Sequence, residues 1–320
     1  MSNQTPFHQS VLVDAVVRYA MPEDGHVFVD GTFGLGGHTR AVLASYPTIT
    51  RVIGIDRDAE ILEHSCKTLD DQRISRFQAS ASDLPEILAR CDLKGVDGIL
   101  LDLGVSSWQL DNAARGFSFT RPGPLDMRMN NAEGVTAADL VNQLERDELT
   151  RIFFQYGEEK FSRRIADAIV KQRAATPFIT TDQLAKTITE AMPAASRHQS
   201  QIHPATRVFQ ALRIAVNHEL EEIERFLDIA LACLNPGGHL TIISFHSLED
   251  RLVKAFMQKY QKGCDCPPRF PVCVCGKKPQ LKLLTGKAVF ADENETAANP
   301  RARSARLRAA MKLSTGGNEK

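Results

Sequence analysis

Three short apolar segments near the start of the chain each end in an aspartate, and this repeat constrains the fold more than any other feature. The segments are residues 27–29 before Asp30, 52–55 before Asp56 and 99–101 before Asp102. Amphipathic helical patterns separate them, which is typical of a parallel sheet covered by helices on both faces. The sequence therefore predicts a doubly wound, Rossmann-like α/β sheet.

A region of different character interrupts this α/β pattern. Residues 104–129 are rich in Gly, Pro, Ser and Asp without a regular period, and residues 137–192 have helical patterns throughout. Alternating strand and helix patterns return further along the chain, and a length of 320 residues suits two domains. The sequence predicts a discontinuous α/β domain, residues 1–103 and 207–320, with an all-helical substrate-recognition domain inserted at 104–206.

The charges are balanced in total but not along the chain. The whole sequence has 39 Lys and Arg against 39 Asp and Glu, whereas from Arg251 onward there are 15 against 5. Such asymmetry indicates an acidic partner, and residues 299–308 are the densest part of the basic end. This stretch is predicted either to pair with phosphates or to form a solvated terminal tail.

The sequence has no apolar run of the length that a membrane helix needs, about 18 residues. Its first residues do not combine a basic start with an apolar stretch, as a secretory signal would. We therefore expect a cytoplasmic protein without a membrane partner, with Cys66, Cys91 and Cys233 as reduced thiols. The sequence does not predict an oligomeric state.

Residues 30–39 form a glycine-rich turn between the first predicted strand and a helix. Glycines there allow positive φ and close approach of a ligand to the backbone. A dinucleotide-binding turn needs a third glycine five residues after Gly34, where Thr39 stands. The pattern Asp-x-Thr-x-Gly-x-Gly over 30–36 instead resembles the first motif of class I S-adenosylmethionine-dependent methyltransferases. The alternative is a tight turn without a ligand.

Acids at two other strand ends strengthen this interpretation. Asp56 is placed to accept both hydroxyls of a ribose, and the alternative is a helix cap, since Asp58 follows. Asp102 stands where amino-methyltransferases carry Asp or Asn, although the usual Pro-Pro-aromatic sequence is absent after it. A carboxylate there could hold an exocyclic amine in line with a methyl donor, with a loop cap as the alternative.

Five blocks of sequence, in order, resemble one family closely. They are residues 30–38, 101–107 with 109–111, 115–119 with 123–129, 203–214, and 244–251. Together they resemble the bacterial MraW/RsmH family of ribosomal RNA small-subunit methyltransferases over nearly the whole chain. The resemblance implies methyl transfer from S-adenosylmethionine to N4 of a cytidine in the decoding region of 16S ribosomal RNA. The implied partner is that RNA or the 30S subunit.

The resemblance also implies residues that contact the donor. These are Gly36, Gly37, His38, Asp56, Ala81, Asp102 and Gln109. Ala81 stands where relatives often carry a phenylalanine beside the adenine. Two other functions stay open, a DNA N4-cytosine methyltransferase and a non-catalytic RNA-binding factor for ribosome assembly.

Two further groups of residues have a predicted RNA contact and a structural alternative. Phe117 and Phe119 alternate with Arg115 and Arg121, which suits unstacked bases and phosphates, or a loop folded on its own aromatics. Basic residues at helical spacing in the inserted region form either an RNA contact or a solvated face. These basic residues are Lys160, Arg163, Arg164 and Lys171.

Four cysteines are clustered near the C-terminus. Cys264 and Cys266 form one Cys-x-Cys pair, and Cys273 and Cys275 form a second after six residues. Four thiolates suit a closed tetrahedral zinc site of structural type. Free thiols are the alternative that the unusual spacing favours, and a disulfide is not expected in cytoplasm.

Overall fold

The computed structural model describes residues 10–194, 203–264, 266–267, 270, 272 and 274–314. The chain divides into two compact units. The first comprises Met1–Gly104 and Glu221–Lys320, and the second comprises Val105–Leu220.

The first unit contains an eight-stranded sheet with the order β3-β2-β1-β4-β5-β8-β6, in which β7 also pairs with β8. Strands β1 to β5 pair in parallel, and β8 is antiparallel to β5, β6 and β7. The strands are β1 Val27–Asp30, β2 Arg51–Asp56, β3 Ile74–Gln78, β4 Val96–Asp102, β5 Leu234–Ser244, β6 Leu281–Leu283, β7 Val289–Phe290 and β8 Arg306–Lys312.

Helices follow the strands of the first unit and make up most of the second. They are α1 Val13–Tyr19, α2 Gly37–Ser45, α3 Ala59–Thr68, α4 Leu84–Arg90, α5 Ser107–Asp111, α6 Ala137–Gln143, α7 Arg146–Gln155, α8 Ser162–Ala175, α9 Thr181–Ala191, α10 Thr206–Asn217, α11 Glu219–Cys233, α12 Ser247–Lys262 and α13 Glu293–Ala298. Among the described residues, no helix is both long enough and apolar enough to cross a membrane.

The parallel part of the sheet is buried on both faces. Phe28, Val52 and Leu100 lie on one face and join Val16 of α1 and Val42 of α2 in one apolar cluster. Their neighbours on the opposite face, Val29, Ile53 and Ile99, are also fully buried. Alternate side chains of a strand point to opposite faces, so this burial explains the continuous apolar runs in the sequence. The predicted doubly wound α/β fold is confirmed.

The second unit has its own apolar core of helical side chains, which include Val141, Leu149, Phe153, Ile165, Ile169, Ile188 and Leu212. Its C-terminal border lies later than the predicted border at 206/207. The reason is that α10 buries Val208, Phe209 and Leu212 in this core. Helix α10 ends at His218, whose φ of 49° is left-handed, and α11 begins at the next residue.

The C-terminal basic stretch is not the solvated tail that was one of its predicted alternatives. Its last three residues begin β8, which pairs with β5 and β6 and buries Leu307, Ala309 and Ala310. Arg308 on this strand donates to both carboxylate oxygens of Asp250, at 2.6 and 3.0 Å. Arg301 and Arg303 are exposed, and pairing of the stretch with phosphates stays a prediction.

Candidate active site

The three strand-ending aspartates lie at one edge of the sheet, as predicted. Strand β1 is paired in parallel with both β2 and β4, and Asp30 lies opposite Gly54 of β2 and Leu100 of β4. The two other carboxylates, Asp56 and Asp102, each follow two residues later on their strands. The carboxyl ends of the strands in an open α/β sheet are where ligands bind.

The turn after β1 takes a shape that only glycine accommodates. Gly34 and Gly36 have φ values of 54° and 77°, in the left-handed region. A Cβ on Gly36 would lie 2.7 Å from the Leu69 side chain, and a Cβ on Gly37 would overlap Ser10 Oγ. Helix α2 begins at Gly37 behind a residue that has no capping side chain. Its first backbone N–H groups are therefore available to an anionic group.

Asp30 holds this turn through two hydrogen bonds. Its Oδ2 accepts a hydrogen bond from Thr39 Oγ1 at 2.7 Å, and its Oδ1 accepts one from the Thr32 backbone N–H at 3.3 Å. Only 1% of its side chain is exposed, and burial raises the pKa of its carboxyl. Asp30 thus ties both ends of the turn to the sheet.

Asp56 is held by the backbone on either side of it. Its Oδ2 accepts from the Gly34 N–H at 2.8 Å and its Oδ1 from the Asp58 N–H at 2.9 Å. The helix cap is Asp58, which accepts from the N–H groups of Glu60 and Ile61. Burial raises the pKa of Asp56 to about 6. A carboxylate oxygen has two lone-pair positions, so each oxygen keeps capacity for a further donor.

One carboxylate oxygen of Asp102 is buried and can still accept a hydrogen bond. Its backbone N–H donates to Thr32 Oγ1 at 2.6 Å, which fixes the end of β4 against the glycine turn. Its Oδ1 is buried and, among the residues that the structure describes, has no hydrogen-bond partner. The pKa of Asp102 is raised to about 6, mainly by burial, while nearby His38 lowers it and the charges of Asp30 and Glu249 raise it. Such an orphan acceptor is expected to have a ligand as its partner.

His38 lies beside Asp102 in the first turn of α2. Its Nε2 donates to the Val11 carbonyl oxygen at 2.8 Å, and its Nδ1 lies 3.8 Å from Asp102 Oδ2. The carbonyl can only accept, so Nε2 carries the hydrogen. The ring is 6% exposed, and this bond orients Nδ1 towards the carboxylate.

Two other residues were predicted to contact the methyl donor, and they lie in different parts of the chain. Ala81 begins a 3-10 turn, Ala81–Asp83, directly after β3, and its Cβ lies 3.4 Å from the Cβ position of Gly31. Gln109 belongs to the second unit, where its Oε1 accepts from the Ser106 N–H at 3.0 Å. The Gln109 N–H donates back to Ser106 Oγ, which completes a capping box.

Sequence reasoning missed the roles of two residues that shape the site. The structure shows that the Thr32 hydroxyl joins the turn to Asp102. Thr39 bonds the buried Asp30. Glu249, in the first turn of α12, is fully buried and accepts from the N–H groups of Phe245 and His246, at 2.7 and 3.2 Å. The sequence signal for this contact is the capping pattern of a polar residue three positions before a glutamate.

The aromatics of the loop predicted to contact RNA pack against other residues of the second unit. Phe117 is 7% exposed, and Phe119 stacks on His203 with ring centroids 4.6 Å apart. Arg115 is 5% exposed, donates to the carbonyl oxygens of Arg128 and Met129, and lies over the Trp108 ring. The two phenylalanines thus do not pack only on each other, and RNA contact by this loop stays a prediction.

The second unit carries an open basic groove of about 830 Å³ between α7 and the start of α8. Its lining residues are Arg146, Asp147, Thr150, Arg151, Phe154, Lys160, Phe161, Ser162, Arg163 and Arg164. Phe154 is 63% exposed, which is unusual for a large apolar side chain. Of the four cations predicted to share one helix face, Lys160, Arg163 and Arg164 line the groove, whereas Lys171 does not.

The chain is similar to several characterised groups of proteins. The Syntrophotalea carbinolica protein named ribosomal RNA small subunit methyltransferase H is 50% identical over 315 residues, which cover 98% of this chain and 100% of that protein. The protein of the same name from Desulforapulum autotrophicum is 51% identical over 308 residues, covering 96% and 99%. A crystal structure of an rRNA methylase from Streptococcus thermophilus is 11% identical with a TM-score of 0.38, covering 94% of each chain.

The family model named MraW methylase family matches residues 5–313. This match includes the glycine turn and every strand of the sheet. Together with the full-length relatives at about half identity, it identifies the chain: the protein belongs to the MraW methylase family.

Proposed function

We propose that this protein transfers a methyl group from S-adenosylmethionine to N4 of a cytidine in the decoding region of small-subunit ribosomal RNA. The observation that carries the proposal is the buried, unpartnered Oδ1 of Asp102 at the end of β4, beside a glycine-rich turn. The two relatives cited above are named as methyltransferases of small-subunit ribosomal RNA, which supports this class of substrate.

The residues at the edge of the sheet fit such a donor. Asp56 has acceptor capacity for a ribose diol, and the N-terminus of α2 at Gly37 has free N–H groups for a carboxylate. Gly36 and Gly37 let this turn pack closely against Leu69 and Ser10, where a Cβ has no room. Ala81 leaves room for an adenine but offers no ring to stack on it. His38 lies beside Asp102, and the contacts of His38 and Gln109 with the donor rest on the resemblance alone.

The donor supplies an electrophilic methyl group on a sulfonium, so the protein has to hold the acceptor nitrogen and remove its proton. The lone pair of a cytosine N4 amine is delocalised into the ring. Asp102 Oδ1 accepts one N–H of this amine, which favours a geometry in which the lone pair points away from the ring. Positioning of this kind lowers the barrier without a strong base. As the N–C bond forms, the bond between the methyl group and the sulfonium breaks, its electron pair stays on the thioether product, and Asp102 accepts the N–H proton.

Asp102 is suited to both steps by its surroundings. Its pKa of about 6 leaves it ionised at neutral pH, so it is a strong acceptor. The same raised pKa makes it a better proton acceptor than an ordinary aspartate. Thr32 holds its backbone, so the carboxylate does not have to be ordered when the substrate binds.

The helical unit is the proposed substrate-recognition part, and its basic groove is the proposed RNA contact. Arg151, Lys160, Arg163 and Arg164 supply positive charge along the groove for phosphates. The exposed ring of Phe154 in the same groove suits an unstacked base.

Reversing two charges in this groove is expected to weaken binding of the RNA. The double variant Arg163→Glu and Arg164→Glu should lower affinity for small-subunit ribosomal RNA by roughly 10- to 100-fold and reduce its dependence on salt. Lys171→Glu, on the same helix but outside the groove, is the matched control and should bind nearly as well as wild type. If the double variant bound the RNA as tightly as the wild type at low salt, the groove would not be part of the RNA interface.

Incubation with isotopically labelled donor tests the proposed activity. Purified 30S subunits, free small-subunit RNA and DNA of matched cytosine content are each offered to the enzyme. We expect label on the 30S subunit or its RNA and none on DNA. Label on DNA supports the alternative of a DNA N4-cytosine methyltransferase. Absence of label from all three substrates supports the alternative of a non-catalytic assembly factor.

A further inference from the structure

The loop between α12 and β6, residues 263–280, has its two ends held together. Gly263 ends α12 with a φ of 64°, and a Cβ there would overlap the backbone of Lys278 and Pro279. One residue further on, the Gln280 N–H donates to the Tyr260 carbonyl oxygen at 2.9 Å. The loop therefore leaves and re-enters the fold at one point.

The described part of this loop buries few apolar side chains. Phe270, Val272 and Val274 are exposed by 54%, 70% and 75%. A loop of this length loses conformational entropy when it is ordered, and burial of apolar surface is the usual compensation. Since these three side chains provide little of it, another interaction has to order the loop.

Three cysteine sulfurs of this loop lie close together. The Sγ atoms of Cys264, Cys266 and Cys275 are all within 4.8 Å of one another, and those of Cys264 and Cys275 are 3.7 Å apart. A disulfide requires about 2.05 Å between sulfurs, and none of the three forms one. Four sulfurs at about 2.3 Å from a tetrahedral Zn²⁺ are about 3.8 Å from one another. The separation of Cys264 and Cys275 matches the edge of such a tetrahedron.

The backbone holds one of these sulfurs in place. The Val274 N–H lies 3.4 Å from Cys266 Sγ and donates to it. All three cysteines are partly buried, so the site is shielded but still accessible to a metal ion.

We propose that Cys264, Cys266 and Cys275 bind a structural Zn²⁺ that orders this loop. A closed tetrahedral site has four ligands, and these cysteines supply three of them. Binding replaces the thiol protons, which are released to solvent, so the affinity falls as the pH is lowered. The metal cross-links two parts of a loop whose described apolar side chains are exposed. Cys273 lies outside the described residues. This inference does not depend on the proposed methyl transfer.

Elemental analysis of the full chain, grown with zinc and purified without chelator, tests the site. We expect about one zinc per chain in the wild type and roughly a tenfold loss in Cys264→Ser and in Cys275→Ser. Cys66→Ser is the matched control, since Cys66 is an exposed cysteine on α3, and this variant should keep its zinc. Cys264→His should also keep it, because histidine is a zinc ligand.

Two further measurements distinguish loss of the metal site from misfolding of a variant. Replacement of zinc by Co²⁺ should give the thiolate charge-transfer and tetrahedral visible bands, and these should be absent from Cys275→Ser. Chelation should speed proteolytic cleavage within residues 264–278 several-fold without changing cleavage elsewhere. Wild-type protein without zinc, iron in place of zinc, or full zinc content in Cys275→Ser would each overturn the proposal.

Discussion

Replacing Asp102 with alanine is expected to reduce the rate of methyl transfer by about 1,000-fold and to leave the donor-free protein folded. The loss follows because Oδ1 is the proposed acceptor for the target amine, and groups that position and accept a proton contribute about 100- to 10,000-fold. The fold should survive because the bond from the Asp102 backbone N–H to Thr32 does not involve the side chain. The measurement is kcat with saturating donor and RNA.

The same substitution should increase stability near neutral pH. The folded state raises the pKa of Asp102 from 3.8 to about 6, so the folded protein binds protons more tightly than the unfolded chain. The resulting loss of stability is absent below about pH 4, develops between about pH 4 and 6, and is complete above pH 6. Removing the carboxylate should therefore stabilise the donor-free protein by about 1–3 kcal/mol at neutral pH and by little at pH 4.

Two matched variants make the Asp102 result interpretable. Asp24→Ala removes an exposed aspartate of the same unit and should change neither turnover nor stability. Asp102→Asn keeps one acceptor oxygen but removes the charge, so its rate should lie between those of wild type and Asp102→Ala. Near-normal turnover of Asp102→Ala would exclude this carboxylate from the reaction.

Replacing Asp56 with asparagine is expected to weaken donor binding by roughly 100-fold and to affect kcat much less. The proposed contact is with two ribose hydroxyls, and each hydrogen bond to a charged group contributes about 1.5–3 kcal/mol. Asparagine keeps one acceptor oxygen for the backbone but loses the charge and the second acceptor. The measurement is the dissociation constant of the donor, obtained by calorimetry on the protein without RNA.

The affinity of the wild type for the donor should also depend on pH. Burial raises the pKa of Asp56 to about 6, so affinity should fall as the pH is lowered through that value and the carboxylate is protonated. Asp56→Asn should lack this dependence. Asp58→Ala is the matched control: it removes the α3 cap, at a cost of about 1 kcal/mol in stability, and should leave donor affinity unchanged. The same pH profile in wild type and Asp56→Asn would contradict the ribose contact.

The strands that carry the candidate site were predictable because local signals specify them. Buried parallel strands are continuous apolar runs, and β1, β2 and β4 all end at an aspartate before a turn or helix. The spacing of these aspartates places them at one edge of the sheet as soon as the strands pair in parallel. Pairing partners of this kind follow from the regular alternation of strand and helix.

The C-terminal part of the sheet was not predictable for a physical reason. Strand β8 consists largely of basic residues and alanines, which favour neither a strand nor burial by themselves. Its pairing with β5 brings together residues far apart in the sequence, so no local pattern specifies it. The role of Thr32 could not be predicted for the same reason, because its hydroxyl accepts from the backbone N–H of Asp102, seventy residues away.

The most direct test of the central proposal is mass analysis of the cytidines of small-subunit ribosomal RNA from cells with and without this protein. We expect N4-methylation of one decoding-region cytidine to disappear without the protein and to return with a wild-type copy but not with Asp102→Ala. An unchanged pattern of cytidine methylation in cells that lack the protein would contradict the proposed function.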